Sequence, residues 1–146
     1  MINKIVLLIF LIAIFFSCNH GNMDSSGINF GTPDEYSFVM EDSTSVPVAD
    51  GTLKVTDIID STISGTYILS KIYQDQYPGL NTMKGIFSGI YNVSISKAFL
   101  NMNPKISDNN IFVNLNIYQT YLDGEWYYST MQGKISQGHF KAYKLK

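Results

Sequence analysis

Apolar and polar residues alternate at every second position through most of this chain, and this period restricts the fold more than any other feature. In residues 111–117, Ile, Val, Leu and Ile alternate with Phe, Asn and Asn. A period of two places successive side chains on opposite faces of a β-strand. Because no helical period is sustained, we predict an all-β domain, a small antiparallel barrel or sandwich of about seven strands.

Gly, Pro, Asn and Asp residues divide the alternating segments. We predict strands at residues 36–41, 53–59, 66–73, 86–99, 111–122, 125–132 and 138–145, the fourth of them bent or bulged at its glycines. Loops are predicted at residues 74–82 and 101–110, and a turn at Ala49-Asp50-Gly51. The capping-box pattern Thr32-Pro33-Asp34-Glu35 predicts a short helical turn before the first strand.

The dipeptide Asp123-Gly124 between two β-rich segments predicts a two-residue type I′ hairpin turn. Such a turn would place Leu122 opposite Glu125 and hold Gly124 at positive φ. The alternation then predicts an interior face formed by Ile111, Val113, Leu115, Ile117, Tyr121, Trp126 and Tyr128.

The opposite face of this predicted hairpin is unusually apolar for a surface that meets solvent. Its candidate interaction residues are Tyr118, Leu122 and Tyr127. Aromatic residues in sheets commonly pack against their cross-strand neighbours. Exposed tyrosines also supply rigid contact area for recognition, so both interpretations of this face stay open.

Two segments of the chain resemble each other, residues 63–70 (ISGTYILS) and residues 87–94 (FSGIYNVS). Each would begin an equivalent strand of a barrel, unless the chemistry of strand starts alone explains the likeness. Ile63-Ser64-Gly65-Thr66-Tyr67 also resembles the Gly-x-Trp strand start of lipocalin-like barrels, with Tyr67 in place of the tryptophan. The resemblance implies a barrel that holds a small apolar ligand.

The first 18 residues have the layout of a secretory signal. Lys4 precedes an apolar run at residues 5–16, and Ser17 then precedes the single cysteine, Cys18. The run is shorter than the ~20 residues that span a bilayer but matches a signal h-region. Phe15-Phe16-Ser17-Cys18 resembles the lipobox of bacterial lipoproteins, which implies lipid attachment to Cys18 and cleavage after Ser17.

Together with the polar residues that follow Cys18 and the alternation beyond them, this resemblance predicts three parts. They are a signal peptide at residues 1–17, a flexible polar tether at residues 18–35 and one β domain at residues 36–146. An ordinary signal peptide and an uncleaved anchor are the alternatives. Asn19 stands where enterobacterial lipoproteins of the inner membrane carry aspartate, which implies an outer-membrane location in the bacterial envelope.

Composition restricts the partners of the mature chain, which would carry 9 Lys against 12 Asp and Glu and which contains no arginine. A net charge of −3 without a guanidinium disfavours nucleic acid and bidentate phosphate recognition. A lipid on Cys18 would leave no thiol for a disulfide, so the domain would depend on its core alone.

Residues capable of catalysis are scattered along the sequence. His20 falls in the tether, and His139 has no predicted acid or nucleophile beside it. We therefore expect no catalytic, cofactor or metal site. We expect a lipid-anchored, non-enzymatic module that contacts an envelope protein. A lipocalin-like carrier of a small apolar ligand is the alternative, and a hydrolase with an unrecognised site is a third.

Overall fold

Eight antiparallel strands, each paired with its neighbour along the chain, close into a barrel. This computed structural model describes residues 33–73 and 83–146. The strands are β1 (Asp34–Asp42), β2 (Pro47–Ile59), β3 (Thr62–Ile72), β4 (Lys84–Asn92), β5 (Lys97–Asn101), β6 (Asn110–Ile117), β7 (Tyr121–Thr130) and β8 (Gly133–Lys144). The all-β prediction is confirmed, and the barrel has one strand more than we predicted.

The first and last strands close the barrel. β1 pairs with β8 from Tyr36 opposite Lys144 to Asp42 opposite Gly138. Beside this seam, the Lys144 ammonium lies 2.7 Å from a carboxylate oxygen of the buried Asp34. Because the strands follow one another around the barrel, their turns gather at two ends.

The chain enters the barrel at one of these ends, which we call the N-terminal end. It carries the start of β1, the end of β8 and the turns at residues 60–61, 93–96 and 118–120. The far end carries the turns at residues 43–46 and 131–132 and the segment at residues 102–109.

The predicted strand at residues 86–99 is in fact two strands. β4 ends at Asn92, and a 3-10 turn at Val93–Ile95 leads into β5. The Asn92 side-chain oxygen accepts hydrogen bonds from the backbone N–H and the hydroxyl of Ser94, and Ser96 adopts a left-handed φ of 50°. An asparagine that binds its own backbone two residues on ends a strand and starts a turn, and this supplies the eighth strand.

The predicted turn at residues 49–51 is wrong, because β2 already begins at Pro47. The turn lies earlier, where Asp42 Oδ1 accepts hydrogen bonds from the backbone N–H groups of Thr44 and Val46 at 2.8 and 3.0 Å. Gly51 is buried in β2, where a side chain would collide with the Ile68 carbonyl.

The predicted helical turn before the first strand is also wrong over its described residues. Asp34 and Glu35 already belong to β1, so the first strand begins two residues earlier than predicted. Thr32 of the capping-box pattern lies outside the described residues.

The hairpin at residues 123–124 is wrong in register although both of its strands exist. β6 ends at Ile117, and the chain reverses at residues 118–120, where the Tyr118 N–H donates to the Tyr121 carbonyl at 3.0 Å. Gly124 therefore lies inside β7, opposite Leu115, and its φ is not positive. A side chain at Gly124 would collide with the Asn114 carbonyl, so this glycine permits a close approach of two strands.

The interior of the barrel is one apolar cluster to which all eight strands contribute. Trp126 and Tyr128 are buried as predicted, but Leu122 is buried and Tyr121 is 37% exposed, which reverses both predictions. The two wrong assignments are the two residues next to the misplaced turn. Residues 111, 113, 115 and 117 of β6 are buried, as their alternation predicts.

The two similar segments do not begin equivalent strands. Residues 63–70 start near the beginning of β3, whereas residues 87–94 run to the end of β4 and into the following turn. The segments instead pair antiparallel, with Ile63 opposite Gly89 and Gly65 opposite Phe87. Each glycine thus lies beside a large side chain of the other segment.

Candidate functional site

A depression of about 780 Å³ lies on the outside of the barrel, across β4 to β8. Its lining combines amides, charged groups and apolar side chains. The residues that line it through outward side chains include Ile90, Lys97, Phe99, Asn114, Asn116, Asp123, Glu125 and His139. We call this surface the outer depression.

Strand register brings the polar lining residues together. Asn114 of β6 lies opposite Glu125 of β7, and Glu125 in turn lies opposite His139 of β8. One step towards the N-terminal end, Asn116 lies opposite both Lys97 and Asp123. Directly opposed residues on one face have Cβ atoms about 4.5–5.5 Å apart, so these polar groups lie side by side on the outer face of the barrel.

Aromatic side chains bound the outer depression towards the far end of the barrel. The Phe112 ring stacks on Phe99 at 5.5 Å and on Tyr127 at 5.2 Å between centroids. The Lys134 ammonium lies 5.2 Å from the centre of the Tyr127 ring. We call Phe99, Phe112 and Tyr127 the outer aromatic stack.

A second aromatic group lies at the N-terminal end. The rings of Tyr118 and Tyr121 stack 4.3 Å apart, and Tyr143 lies 6.3 Å from Tyr121. Tyr143 is 62% exposed. We call these three residues the rim tyrosines.

The predicted interaction residues Tyr118, Leu122 and Tyr127 do not form one patch. Leu122 is buried in the interior, which corrects its assignment to the outer face. Tyr118 and Tyr127 do face outward, but Tyr127 lies opposite Phe112, six residues before Tyr118 in the chain. At ~3.3 Å per residue this separates the two tyrosines by about 20 Å, with the outer depression between them.

Sequence reasoning missed Lys97 and His139, because they reach the depression from β5 and β8 only through pairing register. His139 also has acids beside it, contrary to expectation, since Glu125 and Glu41 lie opposite it on the two neighbouring strands. The alternation of residues 97–101 could have placed Lys97 on an outer face, but not beside Asn116.

A buried polar cluster lies near the N-terminal end of the barrel. The Tyr36 hydroxyl donates to Asp34 Oδ2 at 3.2 Å, and Asp34 also pairs with Lys144. Burial raises the pKa of the Tyr36 hydroxyl well above its ordinary value, and the adjacent Asp34 carboxylate raises it further. These groups face one another at the β1–β8 seam, so their chemistry serves barrel closure.

Among residues 33–73 and 83–146, no three His, Cys, Asp or Glu side chains gather where they could hold a metal ion. In the same ranges no helix is long and apolar enough to cross a membrane. Cys18 and His20 lie outside the described residues.

Comparison with known proteins yields no relative. No family model matches the chain, and no curated protein or solved structure matches it significantly.

Proposed function

We propose that this chain is a lipid-anchored, non-enzymatic binding module of the bacterial envelope, and that the outer depression is its binding surface. The observation that carries the proposal is the position of the depression on strands of a closed barrel, bounded by the outer aromatic stack and the rim tyrosines. Sites built on strands hold their side chains in fixed geometry, which lowers the entropic cost of binding.

The lining chemistry indicates the kind of partner. The depression carries one lysine, two carboxylates and several asparagine amides, so its formal charge is slightly negative. Amides and carboxylates accept hydrogen bonds, and aromatic rings at the boundary supply apolar contact area. These features suit a protein segment that presents lysine or arginine and an apolar side chain.

The interior of the barrel gives the carrier alternative less support. A closed eight-stranded barrel is an architecture that also occurs in lipocalin-like carriers. Here, however, interior positions hold large side chains such as Trp126, Phe38 and Phe140, and the rings of the two phenylalanines stack at 5.1 Å. These buried side chains fill part of the space in which a carrier would hold its ligand.

The lipid anchor is proposed from Ser17, Cys18 and the apolar run before them. Two or three acyl chains hold a protein firmly on a membrane, whereas one holds it marginally. Cys18→Ala should abolish incorporation of labelled fatty acid and release the protein from the membrane fraction. Glu125→Lys, which changes only the outer depression, should still incorporate labelled fatty acid and remain in the membrane fraction. Fatty acid retained by Cys18→Ala would reject the anchor.

The binding surface can be tested with a photo-crosslinking amino acid in living cells. Placed at Asn114 in the depression, it should give a discrete adduct with a partner protein, whereas the same group at the exposed Thr66 of β3 should not. Glu125→Lys should suppress the Asn114 adduct because it reverses a charge inside the depression. Glu35→Lys, at an exposed position of β1 outside the depression, should leave the adduct unchanged. Equal adducts from Asn114 and Thr66 would contradict this assignment.

A further inference from the structure

The turns and chain ends at the N-terminal end of the barrel carry exposed apolar side chains. Ile59 precedes the first turn and is 68% exposed, and Ile95 lies in the second turn and is 59% exposed. Val93, in the same turn as Ile95, is also exposed. Of the rim tyrosines, Tyr118 lies in the third turn, Tyr121 begins β7 directly after it, and Tyr143 lies near the end of β8. We call Ile59, Val93, Ile95 and the rim tyrosines the N-terminal rim.

These side chains encircle the end of the barrel rather than collect on one side. They belong to the β2–β3, β4–β5 and β6–β7 connections and to β8, so they are distributed around the circumference. A partner that contacts all of them at once must present a broad and nearly flat apolar layer. The boundary between lipid headgroups and acyl chains is such a layer.

Exposure alone does not orient the barrel, because Val46, Ile106 and Met131 are exposed at the far end. The course of the chain indicates which end of the barrel faces the membrane. Residues 1–32 join the barrel through Pro33 and the start of β1, at the same end as the N-terminal rim. A lipid on Cys18 would lie 15 residues from Pro33, which is at most about 50 Å of extended chain.

We infer that the N-terminal rim docks on the surface of the membrane that holds the protein, so that the barrel stands on its N-terminal end. The inference rests on the proposed lipid anchor at Cys18. The anchor makes docking an intramolecular event, so weak apolar contacts suffice. Tyrosines suit this position because they place an apolar ring in the headgroup region and a hydroxyl in water.

The test uses the full lipidated chain in vesicles of phosphatidylethanolamine and phosphatidylglycerol that contain nitroxide-labelled lipid. An environment-sensitive fluorophore is attached to a cysteine introduced at Thr120 in the third turn of the N-terminal end, or at Ser43 in the first turn of the far end. The Thr120 probe should shift its emission to the blue and be quenched by the nitroxide, and the Ser43 probe should do neither.

Matched pairs of substitutions identify the residues responsible. Ile59→Asp with Ile95→Asp should abolish quenching of the Thr120 probe. Ile106→Asp with Met131→Asp, at far-end positions that are 52% and 90% exposed, should leave it unchanged. All four side chains are largely in solvent, so circular dichroism should show an intact barrel in both variants.

The outcomes separate the docking inference from the anchor proposal. Mass spectrometry reports whether Cys18 carries lipid, and a free Cys18 would instead take up the fluorophore. Without lipid on Cys18, the anchor fails and the docking inference fails with it. With lipid present, equal signals from the Thr120 and Ser43 probes, or quenching that survives Ile59→Asp with Ile95→Asp, would overturn docking alone.

Discussion

The indole N–H of Trp126 donates a hydrogen bond to the backbone carbonyl of Glu41 at 2.7 Å, joining β7 to β1 across 85 residues of sequence. The strand between them is β8, where Gly138 lies opposite Trp126 on one side and Asp42 on the other. A side chain at Gly138 would collide with the Glu41 carbonyl. Gly138 therefore lets the indole reach past one strand to the next, and the barrel seam gains a contact from its largest core residue.

Removing the indole should therefore cost two kinds of interaction. Trp126→Phe keeps an aromatic ring but leaves a carbonyl without its donor, so we expect a loss of about 1–3 kcal/mol in the free energy of unfolding. Trp126→Ala should lose about 3–5 kcal/mol because it also creates a cavity. Urea denaturation measures both. Equal losses in the two variants would show that the hydrogen bond, rather than packing, dominates at this position.

Gly124 should be needed for strand approach rather than for a turn. Gly124→Ala places a methyl group against the Asn114 carbonyl, so we expect destabilisation of about 1–3 kcal/mol by urea denaturation. Gln137→Ala, at an exposed position of β8, is the matched control and should change stability by less than about 0.5 kcal/mol. If the two variants unfold at the same urea concentration, β6 and β7 are less closely apposed than the structure indicates.

The register of β6 and β7 can be checked through backbone proximity. The structure places Asn116 opposite Asp123, whereas a turn at residues 123–124 would place Leu122 opposite Glu125. Nuclear Overhauser contacts should therefore join the main-chain protons of Asn116 and Asp123. Contacts between Leu122 and Glu125 across a tight turn would restore the hairpin that the sequence suggests.

Tyr36 should make the barrel sensitive to alkaline pH. Its pKa is raised above the ordinary 10.0 in the folded state, so its contribution to stability is present below pH 10 and is lost as the pH rises further and the unfolded chain ionises first. Tyr36→Phe should lower stability at pH 7 but flatten its decline above pH 10. Tyr118→Phe, at an exposed ring, is the control. A decline as steep in Tyr36→Phe as in the unmodified protein would contradict this role.

The ion pair between Asp34 and Lys144 should stabilise the seam. Lys144→Met removes the cation from a carboxylate that is 9% exposed, so we expect a loss of about 1–3 kcal/mol. Solvent limits the loss, because the Lys144 side chain is itself 38% exposed. Lys141→Met, at an exposed position of the same strand, is the matched control. An equal effect of the two substitutions on thermal unfolding would show that the pair contributes nothing specific.

Alternation alone predicted most of what is buried in β6 and β7. The period of two places residues 111, 113, 115 and 117 inside, and it places Trp126 and Tyr128 inside as well. The error at Tyr121 and Leu122 arose because Asp123-Gly124 is a strong local turn signal, whereas the residues that do turn, Tyr118-Gln119-Thr120, carry a weak one. Tertiary packing outweighed the turn propensity of Asp123-Gly124, because β6 and β7 approach so closely at position 124 that only glycine fits there.

The outer depression could not be predicted from the sequence. Its polar groups come from strands that are far apart in the chain, from Lys97 of β5 to His139 of β8. Only the pairing registers of neighbouring strands bring these groups onto one face. A single wrong turn displaces every partner of the strand that follows it. Surface sites on sheets are therefore harder to predict than buried faces, which repeat in every strand.

Closure of the barrel also determines how copies of this protein meet one another. Each of the eight described strands has hydrogen-bonded neighbours on both sides. Open sheets have edge strands whose unpaired peptide groups can recruit a strand from another molecule and begin aggregation. Where neighbouring strands pair, the polypeptide backbone therefore offers no template for cross-β growth, and copies that meet there do so through side chains.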